Sequence, residues 1–210
     1  MSEEILQTFF ESVFGQITTV AVIFLLLVVI MKISKKKNDV SIMVKTAILL
    51  SVTFVLNQII LFRMPQGGSI TAFGMLALFL VSYLFGARQG ILAGMAYGLL
   101  DLIINPSVIH PIQIFMDYPL AFGAIGIGGL LRNQKFGIIK GYILGVLGRY
   151  IVVVLSGIIF WGIYAAEGFN AFTWSLFYNM TYMLPEAVIT VVILFIPKIR
   201  QLFDRYKIQD

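Results

Sequence analysis

Seven apolar segments divide this chain of 210 residues and constrain its fold more than any other feature of the sequence. A helix needs about 20 mostly apolar residues to cross the hydrocarbon core of a bilayer. Segments that approach this length lie at residues 16–32, 43–62, 69–87, 89–105, 112–131, 138–163 and 174–197. Charged residues make up only 12% of the chain, whereas about 25% is usual in soluble domains. The pattern predicts an all-α integral membrane protein.

The composition also limits the chemistry that the chain can perform. It contains no cysteine and one histidine, which excludes thiol nucleophiles and thiolate metal sites and leaves little for a zinc or haem centre. The sequence has no phosphate-binding P-loop, and it lacks the HExxH and GxSxG motifs of hydrolases. We therefore expect neither an enzyme nor a cofactor.

The basic residues indicate which way the chain crosses the membrane. Thirteen of the 15 lysines and arginines fall on one side of the predicted spans, and by the positive-inside rule that side is cytoplasmic. We expect a multi-pass protein of the bacterial plasma membrane with its N-terminus outside and its C-terminus in the cytoplasm. The net charge of +5 is then a signal of topology and does not indicate a nucleic acid partner.

The first apolar segment differs from the other six. Its apolar core, "ITTVAVIFLLLVVIM", contains no glycine and no charge, and the basic sequence "KISKKKNDV" follows it. We predict an anchor helix with a basic cytoplasmic linker at residues 1–40, a six-helix membrane domain at 41–200 and a cytoplasmic tail at 201–210. In the six-helix unit, glycines recur at four-residue spacing, which lets helix backbones approach closely in lipid: Gly86, Gly90, Gly94 and Gly98.

Four charged side chains lie in the predicted spans of this six-helix unit away from their cytoplasmic ends: Asp101, Asp117, Arg149 and Glu186. Burying one in a membrane costs at least about 2.5 kcal/mol, so each should face a partner or an aqueous cavity. Asp101 and Glu186 fit structural roles, either pairing with Arg149 or capping a broken helix. Asp117 is the strongest candidate for a ligand site, because Tyr118 is adjacent and several aromatic residues lie at the same predicted membrane surface.

Those aromatic residues cluster at the outward ends of the last two spans, around Asn179. An aromatic belt at the membrane interface is one explanation for each of them. A carboxylate among several π faces also binds a cationic organic ring, with each ring adding roughly 0.5–2 kcal/mol, and an asparagine can recognise the edge of a heterocycle. The residues of this cluster are Trp161, Tyr164, Trp174, Tyr178 and Tyr182.

Three strings resemble segments of the thiamine-specific S-components of energy-coupling factor (ECF) transporters. They are "MPQGGSIT", "HPIQIFMDYPLAFGAIGIGG" and "GRYIVVVLSGIIFWGIYAAEGFNAFTWSLFYNMTYMLP". The resemblance covers about residues 43–197 and implies a six-helix S-component bundle, here with one extra N-terminal transmembrane helix. It also implies a loop after the first family helix that covers the vitamin, and as partners a transmembrane T-component and two cytosolic ATPases.

The resemblance implies a role for particular residues. Asp117 matches an acidic residue that faces the thiazolium ring, and Tyr118 matches its aromatic neighbour. Trp161 matches a residue that stacks on the ligand, Trp174 stands where a tyrosine is common, and Asn179 matches an asparagine that hydrogen-bonds the aminopyrimidine.

One position departs from the family pattern. Val153 stands where the family generally has a histidine that contacts the pyrimidine, so His110 and Tyr182 are candidates to replace that contact. Gln66 belongs to the covering loop. Ala47 and Ser51 match a pair of small residues that contacts the T-component.

These observations favour capture of extracellular thiamine, and three other functions stay open. The first is an S-component for another cationic or heteroaromatic vitamin or precursor, which Val153 motivates. The second is a stand-alone proton-coupled carrier that uses Asp101, Asp117 and Glu186 as relay groups. The third is a structural subunit that binds no small molecule.

Overall fold

The computed structural model describes residues 8–9, 12–33 and 39–208 and consists of helices and one hairpin. The helices are α1 (Val13–Ile33), α2 (Val40–Gln58), α3 (Gly74–Phe85), α4 (Ala87–Ile104), α5 (Gln113–Leu131), α6 (Gly137–Phe160), α7 (Ala171–Leu194) and α8 (Pro197–Tyr206). Between α2 and α3, strands β1 (Ile60–Arg63) and β2 (Ser69–Thr71) pair antiparallel. A short helical turn, Gly162–Tyr164, follows α6.

Six helices of the described chain are long and apolar enough to cross a bilayer, and α3 is shorter, with 12 residues. The predicted spans at 43–62 and 69–87 were therefore too long, because residues 60–71 form the hairpin. The error has a physical cause: a short apolar run such as "IILF" fits a strand and a buried helix equally well. Gly67, with a φ of +90°, forms the turn that separates the strands.

The backbone of α5 lies directly against the glycine face of α4. A methyl group on Gly94 would overlap the carbonyl oxygen of Phe122 and lie 2.8 Å from Gly123 Cα, and one on Gly98 would lie 2.5 Å from the carbonyl oxygen of Tyr118. The glycine spacing of α4 thus brings the two backbones together as the sequence indicates.

The opposite side of α5 meets a second glycine face, on α6. A methyl group on Gly141 would lie 2.6 Å from the carbonyl oxygen of Gly128, and one on Gly145 would lie 2.5 Å from that of Ile125. Helix α5 is consequently held between α4 and α6, and most of its side chains are buried. It forms the centre of the bundle.

Helix α5 is irregular where it passes between these two faces. Residues Met116–Leu120 form a wide π-helical turn that contains Pro119, and Gly126–Leu131 form a tighter 3₁₀ turn. Proline has no N–H to donate, and single π-helical turns inside helices are frequent at functional sites. The wide turn carries Asp117.

The C-terminal helix α8 packs at the end of the bundle remote from the hairpin. Buried Arg132 donates hydrogen bonds to the carbonyl oxygens of Leu84 and Ile208, and Lys207 Nζ donates to the Arg132 carbonyl oxygen over 3.1 Å. The Tyr83 hydroxyl donates to the Asp204 carboxylate. Residues 197–208 therefore close this end, and the division into segments 1–40, 41–200 and 201–210 stays a prediction.

The close contact between α4 and α5 predicts an asymmetric effect of two alanine substitutions. Gly94→Ala places its methyl group against backbone that cannot move aside, whereas in Gly123→Ala the nearest atom, at 2.9 Å, is Cγ of the flexible Met95 side chain. Both variants gain the same helix propensity. We expect Gly94→Ala to lower the stability by about 2 kcal/mol more than Gly123→Ala, measured by unfolding in detergent. Equal stability of the two variants would contradict the packing described.

Candidate ligand-binding site

A cavity of about 790 Å³ lies at the end of the bundle that carries the hairpin. Its walls come from the adjoining ends of α4, α5, α6 and α7, and the hairpin and the connections at 105–107 and 161–164 surround its mouth. The volume lies in the range of small-molecule sites, about 300–1,000 Å³. Aromatic rings and polar side chains line it together, which suits a small polar aromatic ligand.

Asp117 projects from the wide turn of α5 into the wall of this cavity. Its Oδ2 accepts a hydrogen bond from Gln113 Nε2 and one from the Trp161 indole Nε1 over 3.3 Å. No lysine or arginine in the part of the chain that the structure describes forms an ion pair with it. The carboxylate is thus held by neutral donors, and its charge has no bonded cation.

Gln113 holds this carboxylate in place. The residue is fully buried, and four residues along a helix bring its side chain to the same face as Asp117. Its Nε2 also donates to the Ser107 carbonyl oxygen over 2.9 Å, and its Oε1 accepts from the Ile109 N–H over 3.1 Å. Gln113 is not among the site residues predicted from the sequence. Its position four residues before Asp117 was the signal that could have identified it.

Tyr118 closes the side of the cavity next to Asp117. Its hydroxyl accepts from the Ser107 N–H over 2.6 Å and donates to the Asn105 carbonyl oxygen over 3.0 Å. The phenol therefore ties the connection between α4 and α5 to the wide turn. Together with Gln113, it makes this connection part of the cavity wall.

The turn of the hairpin is fastened across the mouth of the cavity by aromatic residues. The Tyr178 hydroxyl accepts from the N–H groups of Gln66 and Gly68, each over 3.1 Å. The Gln66 side chain donates to the Tyr164 carbonyl oxygen over 2.9 Å and accepts from the Trp174 indole over 3.2 Å. Gln66 thus joins the hairpin to both α7 and the turn after α6.

Glu186 fastens the base of the same hairpin. Its buried carboxylate accepts from the Thr71 hydroxyl and from the Met75 N–H, each over 2.8 Å. Met75 belongs to the first turn of α3, where N–H groups lack partners within the helix and the helix dipole favours a negative charge. Glu186 therefore caps α3 from α7.

The alternative that Asp101 and Glu186 pair with Arg149 is wrong for the described residues. Asp101 Oδ1 accepts from Asn105 Nδ2 over 3.0 Å. The Arg149 guanidinium lies over the Phe122 ring, 4.2 Å from its centroid. All three charged residues line the cavity. Asp101 and Glu186 accept hydrogen bonds from neutral groups, and Arg149 lies over an aromatic ring.

Asn179 and Tyr182 form a polar pair on the α7 wall. Asn179 Nδ2 donates to the Ser175 carbonyl oxygen over 2.8 Å, and its Oδ1 accepts from the Tyr182 hydroxyl over 2.7 Å. Val153 lines the cavity nearby, and its carbonyl oxygen lies 3.5 Å from Asn179 Nδ2. The Val153 side chain offers no hydrogen bond, so this wall depends on Asn179 and Tyr182 for polarity.

The structure brings all but one of the predicted ligand contacts to the cavity: Gln66, Asp117, Tyr118, Trp161, Trp174, Asn179 and Tyr182 line it. His110 does not. Its ring stacks on Phe160 at 5.1 Å, and its Nδ1 accepts from the Ile112 N–H over 3.2 Å, so a local turn and an apolar neighbour hold it outside the wall. Ala47 and Ser51 lie on an exposed face of α2.

Comparison with known proteins assigns this chain to one family. The sequence model described as Thiamine transporter protein (Thia_YuaJ) matches residues 43–203. The chain belongs to this thiamine transporter family. The predicted family and the all-α membrane fold are thereby confirmed. The family is one of transporters rather than enzymes, and α1 lies outside the matched residues.

Individual relatives agree with the family match. Thiamine transporter ThiT of Bacillus subtilis (strain 168) is 32% identical over 170 residues, which cover 74% of this chain and 86% of that protein. Thiamine transporter ThiT of Lacticaseibacillus paracasei is 33% identical over 118 residues, 48% of this chain and 59% of that protein. A solved structure of ThiT from Listeria monocytogenes gives a TM-score of 0.64 at 27% identity, over 77% of this chain and 96% of that one.

The fastening of the hairpin turn predicts a local effect of Tyr178→Phe. Loss of the hydroxyl leaves the N–H groups of Gln66 and Gly68 without their acceptor. We expect these two amides to exchange with deuterium about tenfold faster, the equivalent of one lost hydrogen bond. Tyr164→Phe is the control, because Tyr164 holds Gln66 through its backbone carbonyl. Unchanged exchange in Tyr178→Phe would show that the turn is held by other contacts.

Proposed function

We propose that this protein captures extracellular thiamine in the cavity beneath the hairpin, as the substrate-binding subunit of an ECF-type transporter. Membership of the thiamine transporter family supports thiamine as the substrate. The observation that carries the assignment of the site is the Asp117 carboxylate, which faces a cavity with aromatic walls and has only neutral hydrogen-bond donors.

The charge of thiamine fits this arrangement. Its thiazolium ring carries a permanent positive charge, and a buried carboxylate without a cation is costly in a membrane. The ring beside Asp117 would neutralise that charge. The Trp161 indole, already bonded to Asp117, supplies a π face at the same point, and a cation over an indole is worth up to about 2 kcal/mol once water is excluded.

The uncharged half of thiamine fits the α7 wall. An aminopyrimidine offers both donors and acceptors at its edge, and the amide of Asn179 offers both in return. Tyr182, bonded to Asn179, orients that amide. The apolar Val153 leaves the pyrimidine without the histidine contact implied by the family, and Tyr182 is better placed than His110 to supply a replacement.

The hairpin gives the site its cover. Gln66 lies between Tyr164 and Trp174, and Tyr178 holds the turn above the cavity. A cover that excludes water strengthens the interaction between Asp117 and a cationic ring, because charges interact more strongly where the dielectric constant is low. Opening of the hairpin turn would then control the entry and release of the vitamin.

Transport requires partners, for which we propose a T-component and two cytosolic ATPases. The exposed face of α2 supports a lateral contact of this kind: Ala47 and Ser51 are small, and the Ser51 hydroxyl is satisfied by the Ala47 carbonyl oxygen over 3.0 Å. Such a face allows another helix to pack closely in lipid. The hairpin end would face outwards and the end with Arg132 and Lys207 the cytoplasm, in line with the positive-inside rule.

A neutral side chain at residue 117 should remove most of the affinity for thiamine. Asp117→Asn keeps the shape but leaves the thiazolium charge buried without a counter-charge, so we expect Kd to rise about 100-fold or more. Asp101→Asn is the matched control, because Asp101 lines the same cavity and already bonds to Asn105; we expect a change of less than about tenfold. Isothermal titration of the purified proteins measures both, and equal affinities of Asp117→Asn and wild type would exclude the assigned site.

Uptake into proteoliposomes should depend on the energising partners. We expect no accumulation of labelled thiamine by this protein alone under a proton gradient, and accumulation when the T-component and both ATPases are present with ATP. The chain has no P-loop of its own. Uptake by the protein alone would support the proton-coupled carrier instead.

A further inference from the structure

Helix α1 lies outside the family match, yet it packs behind the proposed thiamine site. Leu27 is only 4% exposed and belongs to the main core. Ile23 and Val20, one and two turns earlier on the same face, pack against this core and against a separate apolar cluster formed by Met116, Ile159 and Phe160. The helix therefore does more than cross the membrane beside the bundle.

The apolar cluster adjoins both groups that would meet the thiazolium ring. Met116, which is fully buried, immediately precedes Asp117 in α5, and Phe160 immediately precedes Trp161 at the end of α6. Trp161 itself packs against the cluster and donates its indole N–H to Asp117. The packing of α1 against this cluster therefore supports the backbone from which the side chains of Asp117 and Trp161 project.

Both of these backbone segments are irregular and need support from outside their own helix. Asp117 lies in the π-helical turn with Pro119, where the regular hydrogen-bond pattern of an α-helix is interrupted. Trp161 lies at the C-cap of α6, with φ −102° and ψ 0°, beyond the last regular turn. Packing against other elements therefore decides where these two side chains stand.

We propose that α1 is a positioning element for the thiamine site, with Val20 and Ile23 holding Asp117 and Trp161 together through the cluster of Met116, Ile159 and Phe160. This inference rests on the function proposed above. Helix α1, which lies outside the family match, would then contribute to the affinity for thiamine. Loosening the contact should accelerate dissociation of thiamine, because the carboxylate and the indole then no longer stay in the arrangement that the ring requires.

The chain offers a matched control on the same helix. Val22 and Leu25 have the same three-residue spacing as Val20 and Ile23, but they are 50% and 58% exposed on the outer face of α1. The test pair is Val20→Ala with Ile23→Ala, and the control pair is Val22→Ala with Leu25→Ala. Both pairs remove similar apolar volume from α1 in the full chain.

Titration with thiamine separates a positioning role from a passive one. We expect the test pair to raise Kd about tenfold, mainly through a faster dissociation rate, and the control pair to change Kd less than about twofold. The volume-conserving swap Val20→Ile with Ile23→Val should keep most of the wild-type affinity. Equal effects of the two alanine pairs, or none from the test pair, would overturn the proposal. If the test pair does not fold, Ile23→Val alone takes its place, with an expected rise of about threefold.

A double-mutant cycle distinguishes positioning of Asp117 from a general loss of stability. In the Asp117→Asn background, measured with thiamine up to millimolar concentration, we expect the test pair to cause a further loss of less than about threefold, because the charge of Asp117 is already gone and only Trp161 is left to position. A further tenfold loss in that background would overturn the proposal. Failure of the wild-type protein to bind thiamine would instead contradict the proposed function itself, so the two failures are distinguishable.

Discussion

The structure depends on one close contact, the backbone of α5 held between the glycine faces of α4 and α6. Gly94 and Gly98 on one side and Gly141 and Gly145 on the other leave no room for a side chain. In a bilayer the hydrophobic effect does not drive helices together, so close contacts of this kind supply the van der Waals energy of association. The same contact places the irregular turn with Asp117 inside the bundle, between the helices that supply the remaining walls of the cavity.

The charged groups around the cavity divide into those that hold the structure and one that we propose meets the ligand. Glu186 caps α3, Asp101 bonds to Asn105, and Arg149 lies over an aromatic ring. Asp117 Oδ2 receives hydrogen bonds from the amide of Gln113 and the indole of Trp161, both of which are neutral. A buried carboxylate arranged in this way attracts a cation, which agrees with the membership of the chain in a family of thiamine transporters.

Much of this arrangement could be predicted from the sequence, and the failures have physical reasons. The apolar helices follow from local hydrophobicity, and the place of Asp117 in the wall of a cavity follows from the cost of charge in lipid. Both are properties of short segments. The hairpin at 60–71 was missed because an apolar run does not distinguish a strand from a helix. The partners of Glu186, and the place of His110 against Phe160, depend on contacts between distant segments.

The central claim is that the negative charge of Asp117 is neutralised by the positive charge of the thiazolium ring. The most direct measurement compares the binding of thiamine with that of its neutral isostere, in which carbon replaces the charged ring nitrogen, on the wild-type protein. Shape and pyrimidine are unchanged, so the difference reports the charge alone. We predict an affinity for the neutral isostere at least about 100-fold weaker. Equal affinities for the two compounds would contradict the account.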